Sequence, residues 1–340
     1  MRILIIGGTG FIGSFITRGL AEQGHEVAVF HRGSGTSLPA VRHIRGDRRN
    51  LAVHRQEFER FSPDVAVDCI ASTGAQVREM LDLLCGVARR LVVLSSADVY
   101  RAHGVLLGFD VGPLQPVPLT EDSDLRTQLR SYPPEALQRL RDVFPWLEDD
   151  YDKIPVEQAA LSDRGLPGTV LRLPMVYGPG DPLHRLHPIL KRMDDARPVI
   201  LVQNDAADWR GPRGYVENVA SAIVLATISP NAVGRTYNIG EPQAFSGAEW
   251  IGRIGNAIGW RGRVITLPKD RMPAHLRVPY RNEQHWTTST QRIRDELGFA
   301  ETVPLATALA RTIAWERANP PARIDPAQFD YAAEDAAVVD

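Results

Sequence analysis

The chain has 340 residues, 44% of them hydrophobic and 24% charged, and a formal net charge of −2. That length suits one large α/β domain or a domain with a smaller appendage, and the composition excludes collagen-like, coiled-coil and disordered classes. A charge this close to neutral argues against a general nucleic-acid binder. No uncharged run reaches the roughly 18 apolar residues of a membrane span.

Met1-Arg2 leads straight into an apolar strand, which leaves no room for a signal peptide, so a cytoplasmic location is expected. Residues 3–13 read Ile-Leu-Ile-Ile-Gly-Gly-Thr-Gly-Phe-Ile-Gly, with glycines at 7, 10 and 13 before a helical pattern resumes. A parallel strand that breaks into such a turn brings the backbone close to a pyrophosphate, and the following helix N-terminus faces the phosphates. A helix is predicted over residues 12–23 and a second strand over Glu26–Phe30. Further strands are predicted at Val41–Gly46, Asp64–Ala71, Arg90–Ser96 and Thr169–Leu173, with helical segments between them. Alternation of this kind implies a parallel sheet covered by helices on both faces.

Residues 101–120 read as a loop, residues 133–147 as an inserted helix, and Tyr151–Ser162 as a helix with Pro155 in or near its first turn. Beyond Gly178 the pattern gives a helix near 185–195, a strand near 198–202, a helix near 216–227, a short strand at 236–239 and a helix near 246–258. Helical segments close residues 288–318, and residues 321–340 read as a tail. Cys69 in a strand pattern and Cys85 in a helical one are the only cysteines, and both read as reduced core residues.

Several segments occur in the order of the extended short-chain dehydrogenases/reductases. The Gly-x-x-Gly-x-x-Gly spacing at 7–13, Gly46-Asp47, Ser95-Ser96-Ala97-Asp98-Val99-Tyr100, Leu171–Asp181, Arg213–Val219, Tyr237-Asn238-Ile239-Gly240 and residues 294–299 resemble the nucleotide-sugar epimerase and dehydratase group. The resemblance implies a doubly wound parallel Rossmann sheet with a smaller C-terminal substrate-binding domain. Residues 1–175, with a return segment near 213–240, would form the dinucleotide domain, and 176–212 with 241–320 the substrate domain. It also implies cofactor contacts from Gly7, Thr9, Gly10, Phe11, Ile12, Gly13, Asp47 and Pro174, with Asp47 at the adenine. Ser96 would bond a substrate oxygen, Lys153 the nicotinamide ribose, and Arg213 and Tyr177 the substrate. A homodimer is what the family implies.

The catalytic helix departs from the family pattern Tyr-x-x-x-Lys. Lys153 and Glu157 match its second half, but Asp149 stands four residues before Lys153 and Tyr151 only two. An i, i+4 spacing would put phenol and ammonium on one helix face, where the cation lowers the phenol pKa. Three readings follow: Tyr151 acts from a turn ahead of the helix, Asp149 moves the proton, or hydride chemistry is lost and the nucleotide site alone remains. Only three of the 39 basic residues are lysine, which singles out Lys153 as a position that needs a compact ammonium.

The second strand ends Phe30-His31-Arg32, without the carboxylate of an NAD enzyme, so Arg32 is expected to pair a 2′-phosphate with His31 beside the adenine. NADP is therefore the expected cofactor, with NAD the alternative. Arg210, His184, Arg185 and His187 fall in segments expected to line the same cleft, while the spacing of Asp181, His184 and His187 gives no metal site. Met175 stands where the sugar-nucleotide enzymes carry asparagine. The expected function is an NAD(P)-dependent oxidoreductase, epimerase or dehydratase acting on a small molecule, nucleotide sugars included. The alternative is a dinucleotide-binding regulator or RNA-associated protein without turnover.

Overall fold

The computed structural model describes residues 1–33, 38, 41–130, 132–162 and 165–339. The chain runs through β1 (Arg2–Ile6), α1 (Phe11–Glu22), β2 (Glu26–His31), β3 (Arg42–Arg45), α2 (Arg55–Phe61), β4 (Val65–Asp68), α3 (Gly74–Leu84) and β5 (Arg90–Ser96). Next come α4 (Arg101–Leu107), α5 (Pro134–Val143), α6 (Lys153–Ser162), β6 (Gly168–Leu173), β7 (Met175–Tyr177), α7 (His187–Asp194) and β8 (Val199–Gln203). The remainder is α8 (Asn204–Asp208), β9 (Arg213–Tyr215), α9 (Val216–Ile228), β10 (Thr236–Asn238), α10 (Gly247–Ile258), β11 (Arg263–Leu267), α11 (Gln291–Leu297), α12 (Leu305–Ala318) and α13 (Tyr331–Val339).

Seven parallel strands form one sheet in the order β10-β6-β5-β4-β1-β2-β3. This is the doubly wound arrangement, and the chain reverses direction across the sheet at β1 and β4. Its inner strands are near-continuous apolar runs such as Ile3-Leu4-Ile5-Ile6, all fully buried, because helices cover both faces. On one face the apolar core runs from Ile16 and Val29 through Tyr177 to Trp250 and Ile313, which ties the carboxyl-terminal elements to the sheet. Two small parallel pairs, β7 with β9 and β8 with β11, complete the sheet structure.

Three local expectations change. Residues 101–107, read as loop, form α4, closed by Gly108 at a φ of 80°. Cys85 is exposed at the end of α3 rather than in the core. The supposed tail forms α13, whose buried Glu334 lies 2.6 Å from Arg192 and 3.1 Å from His275, while Asp335 pairs with Arg197 and Tyr331 donates to Asp195, so long-range polar contacts hold a compositionally bland segment.

Candidate active site

A cleft of about 570 Å³ opens at the carboxyl ends of β1, β2, β4 and β5, where an open α/β sheet changes winding direction. Its floor is the glycine turn. Gly7 adopts a φ of +82°, which L side chains rarely adopt, and its amide donates to Phe30 O at 3.0 Å. A Cβ on Gly13 would lie 2.3 Å from Gly7 O, so only glycine lets α1 come this close to the turn. Gly10 caps α1 without a side-chain hydrogen bond, and Thr9, Phe11 and Ile12 also border the cleft. The helix N-terminus thus presents backbone to an anion. The turn and helix together fit a dinucleotide pyrophosphate.

One end of the cleft is cationic. His31, Arg32, Asp47, Arg48 and Arg49 border it. Asp47 Oδ1 accepts the Arg49 amide at 2.9 Å. His31 Nδ1 accepts the Gly33 amide, which leaves Nε2 as the donor to His43 Nδ1 at 2.9 Å. Burial and the neighbouring His43 and Arg45 hold His31 below its ordinary pKa. Arg48 is buried, with Nη2 2.6 Å from Asp68 Oδ2, and its Nε and Nη1 have no partner among the described residues.

The other end is built where β5 stops and α6 starts. Asp152 lies just ahead of α6: its Oδ1 accepts the Ile154 amide at 2.8 Å and pairs with Arg126 at 3.2 Å. Tyr151 therefore lies in the turn before the helix and Pro155 in its first turn, as the first of the three sequence readings requires. Lys153 is 4% exposed and borders the cleft, with Nζ donating to Ala71 O at 2.5 Å and Leu94 O at 2.9 Å. An ammonium has three hydrogens, so one is left for a ligand. Burial lowers the Lys153 pKa to about 8.

The Lys153 ammonium lies over the Tyr151 ring, 5.6 Å from its centroid, but the phenol hydroxyl does not hydrogen-bond to it. That hydroxyl donates instead to Asp98 Oδ2 at 3.3 Å, and Tyr132 donates to the same oxygen at 3.0 Å. Burial first, and then the Asp98 charge, raise the pKa of both phenols well above the ordinary value, so both remain protonated at neutral pH. Asp98 is 1% exposed, and its Oδ1 has no partner among the described residues. Ser96 Oγ accepts the Asp98 amide at 3.2 Å, which leaves its hydroxyl hydrogen to donate toward the cleft it borders. Pro174 borders the same end.

Sequence reasoning missed Asp98 and Tyr132. Asp98 fills a variable position of the Ser-Ser-x-x-Val-Tyr pattern, and an acid there, next to a strand end, was the available signal. Tyr132 comes from the inserted segment and carried none.

The geometry corrects three assignments. Asp149 is 84% exposed, pairs with Arg141 and does not border the cleft, because the turn ahead of α6 points it to solvent. Tyr177 is 1% exposed, with its ring against Tyr215 and Trp250 and its hydroxyl donated to Glu241 Oε1 at 2.7 Å. Arg213 stacks over Trp250 and donates to Phe245 O at 3.0 Å. Neither Tyr177 nor Arg213 borders the cleft, since aromatic packing with α10 claims both. Of the other basic candidates, Arg210 pairs with Glu249 and His184 with Glu316, His187 packs against Phe329, and Arg185 borders the cleft while paired with Asp181 at 2.7 Å.

Other motif residues support the floor. Arg172 holds Glu157 bidentately at 2.9 and 2.7 Å and donates to Tyr100 Oη at 2.9 Å. Tyr100 donates to Asn238 Oδ1, and Ser95 to Glu157 Oε1. This buried network fastens the ends of β5, β6 and β10 to α6, and so fixes where Ser96 and Lys153 emerge.

The sequence profile of the NAD dependent epimerase/dehydratase family matches residues 3–107 and 152–240. The chain belongs to this family. The chain is also similar to the 2-alkyl-3-oxoalkanoate reductase of Stenotrophomonas maltophilia, 27% identical over 272 residues, covering 76% of each protein. A shorter match links it to the chloroplast stem-loop binding protein of 41 kDa b of Arabidopsis thaliana, 30% identical over 120 residues. That match spans 31% of this chain and 32% of the plant protein. In structure it resembles MoeE5 in complex with UDP-glucuronic acid and NAD, with a TM-score of 0.66 at 20% identity over 94% of this chain and 99% of that one. The family profile skips residues 108–151, the stretch that supplies Tyr132 and Tyr151.

Proposed function

We propose that this member of the epimerase/dehydratase family is an NADP-dependent oxidoreductase that moves a hydride at a carbinol or carbonyl carbon of a small molecule. The observation that carries the reading is the convergence of Ser96, Asp98, Tyr151 and Lys153 on one cleft that also contains the glycine turn. A bound nicotinamide supplies or accepts the hydride; the protein supplies position and the proton.

Gly7 to Gly13 and the α1 N-terminus would hold the pyrophosphate, and the third hydrogen of Lys153 a ribose hydroxyl. Arg32 makes no hydrogen bond or ion pair among the described residues and is exposed just past the end of β2, where a 2′-phosphate would meet it. Ser96 would donate to the substrate oxygen. For the proton, a phenol held well above its ordinary pKa is a poor base by itself, but it can pass a proton on. In the oxidative direction the substrate hydroxyl gives its proton to Tyr151 Oη while the Tyr151 proton moves to Asp98 Oδ2. In the reductive direction both transfers reverse. Tyr151 is thus the conduit and Asp98 the store.

The test is to follow NADPH consumption with carbonyl compounds and to repeat it with Tyr151→Phe. The reading expects turnover in the parent, loss of at least a hundredfold in the variant, and NADPH affinity that survives in both. A variant as active as the parent would refute it. A second reading, an RNA-associated protein without turnover, draws support from the match to the plant stem-loop binding protein. Stem-loop RNA binding together with no NADPH consumption by any carbonyl would favour it.

A further inference from the structure

We infer that the substrate of this cleft is a carbonyl or carbinol compound with an uncharged, apolar body, selected by the inserted segment 132–148, and not a nucleotide sugar. The inference rests on the oxidoreductase reading and adds the substrate class.

The segment lies outside the family profile and runs the length of the cleft. At one end Tyr132 reaches Asp98, and at the other Arg49 donates to Pro145 O and pairs with Glu148. Between them Leu140, Val143, Phe144, Trp146 and Leu147 border the cleft. α5 is amphipathic, with Leu137 and Leu140 on a stripe that Phe144 continues just past its end, yet none of the helix residues is buried. A helix normally buries such a stripe against the core. Here the apolar face fronts the cleft half-exposed, so a ligand with an apolar body would complete a contact that the protein leaves open.

Charge points the same way. The diphosphate of a nucleotide sugar carries two negative charges, which need cations or several donors once removed from water. Arg213 and Arg210 are turned to Phe245 O, Ala244 O and Glu249. Arg185 is held by Asp181 and Val176 O. The remaining arginines on the cleft, Arg32, Arg48 and Arg49, follow β2 and β3 at the opposite end from Tyr132. At the substrate end Asp98 would repel a diphosphate, Lys153 is tied to two carbonyls, and the nearby Arg126 is paired with Asp152.

The experiment is calorimetric titration of the full chain loaded with NADP, using unbranched methyl ketones of increasing length and, separately, UDP-glucose and dTDP-glucose. Each methylene that enters the apolar wall should tighten Kd by about fourfold until the wall is filled. The two nucleotide sugars should show no saturable binding. Leu140→Asp and Phe144→Asp should flatten the dependence on chain length, so that the ratio of long-chain to short-chain affinity collapses. A flat series in the parent, or saturable binding of a nucleotide sugar in preference to the ketones, overturns the substrate class. A chain that does not bind NADP at all overturns the oxidoreductase reading and this inference with it, and the loading step separates that failure from the first.

Discussion

Replacing Asp98 by Asn tests the proton path with little change of shape. Asn keeps the volume of the side chain and an oxygen that can accept from Tyr132 and Tyr151, now 3.0 and 3.3 Å away, but an amide cannot take up a proton. General acid–base catalysis by a positioned group contributes about 10²–10⁴ in rate, so kcat should fall about 10³-fold, roughly 4 kcal/mol of barrier. Because Asp98 acts through Tyr151, Asp98→Asn combined with Tyr151→Phe should be hardly worse than either alone, giving a coupling energy close to the whole single effect. Folding should not suffer. The substitution removes a buried carboxylate that has one unpartnered oxygen, so the melting temperature should hold or rise. Asp149→Asn is the control: that residue is exposed, and its pairing with Arg141 is worth little, so kcat should stay within about twofold. The assay is steady-state NADPH oxidation with a saturating carbonyl substrate. An Asp98→Asn protein with a third or more of the parent kcat, or an Asp149→Asn protein reduced a hundredfold, would refute the relay.

Three further outcomes are expected. Gly13→Ala puts a Cβ 2.3 Å from Gly7 O, and backbone against backbone cannot yield as a side chain does; dinucleotide binding should be lost and the melting temperature lowered, as calorimetry and thermal unfolding would show. Arg32→Ala should weaken NADPH binding about tenfold while leaving NADH within about twofold, because the charge-assisted bond to a 2′-phosphate is all that is removed. Lys153, lowered from 10.5 to about 8 by burial, gives a sign-definite effect on stability. Between those values the unfolded chain binds the proton and the folded chain does not, so stability should rise with pH across this window by up to about 3 kcal/mol. Denaturant titrations of wild type and Lys153→Met should show that increment in the former and not the latter; an equal slope in both would count against burial as the cause.

Legibility from sequence followed the physics of each element. The Rossmann half was readable because Ile3–Ile6, Leu91–Leu94 and Val170–Leu171 are buried on both faces and so read as apolar runs. The glycine turn was readable because Gly7 and Gly13 answer to backbone constraints that admit little else. Lys153 stood out through residue choice alone. Tyr177 and Arg213 were misplaced for the opposite reason. Their motif matched, but whether such side chains face a cleft depends on packing against Trp250 and Phe245, residues 30 or more positions away that no local pattern describes. Asp149 was a candidate because it stands four residues before Lys153, where the family pattern carries tyrosine, but the Asp152 cap starts α6 at Lys153, so that spacing does not follow a helix. Asp98 and Tyr132 lie 34 residues apart, and an insertion outside the family profile brings them together. α13 was missed because its polar ties are long-range: Glu334 to Arg192 and His275, Tyr331 to Asp195, and Asp335 to Arg197.

The most direct test of the account is calorimetric titration of the purified chain with NADPH and with NADH, followed by the same titrations on Arg32→Ala. The account predicts saturable binding of one dinucleotide per chain, NADPH tighter than NADH in the parent and the two nearly equal in the variant. Binding of neither dinucleotide would contradict the account at its root, and a parent that prefers NADH would contradict the role given to Arg32.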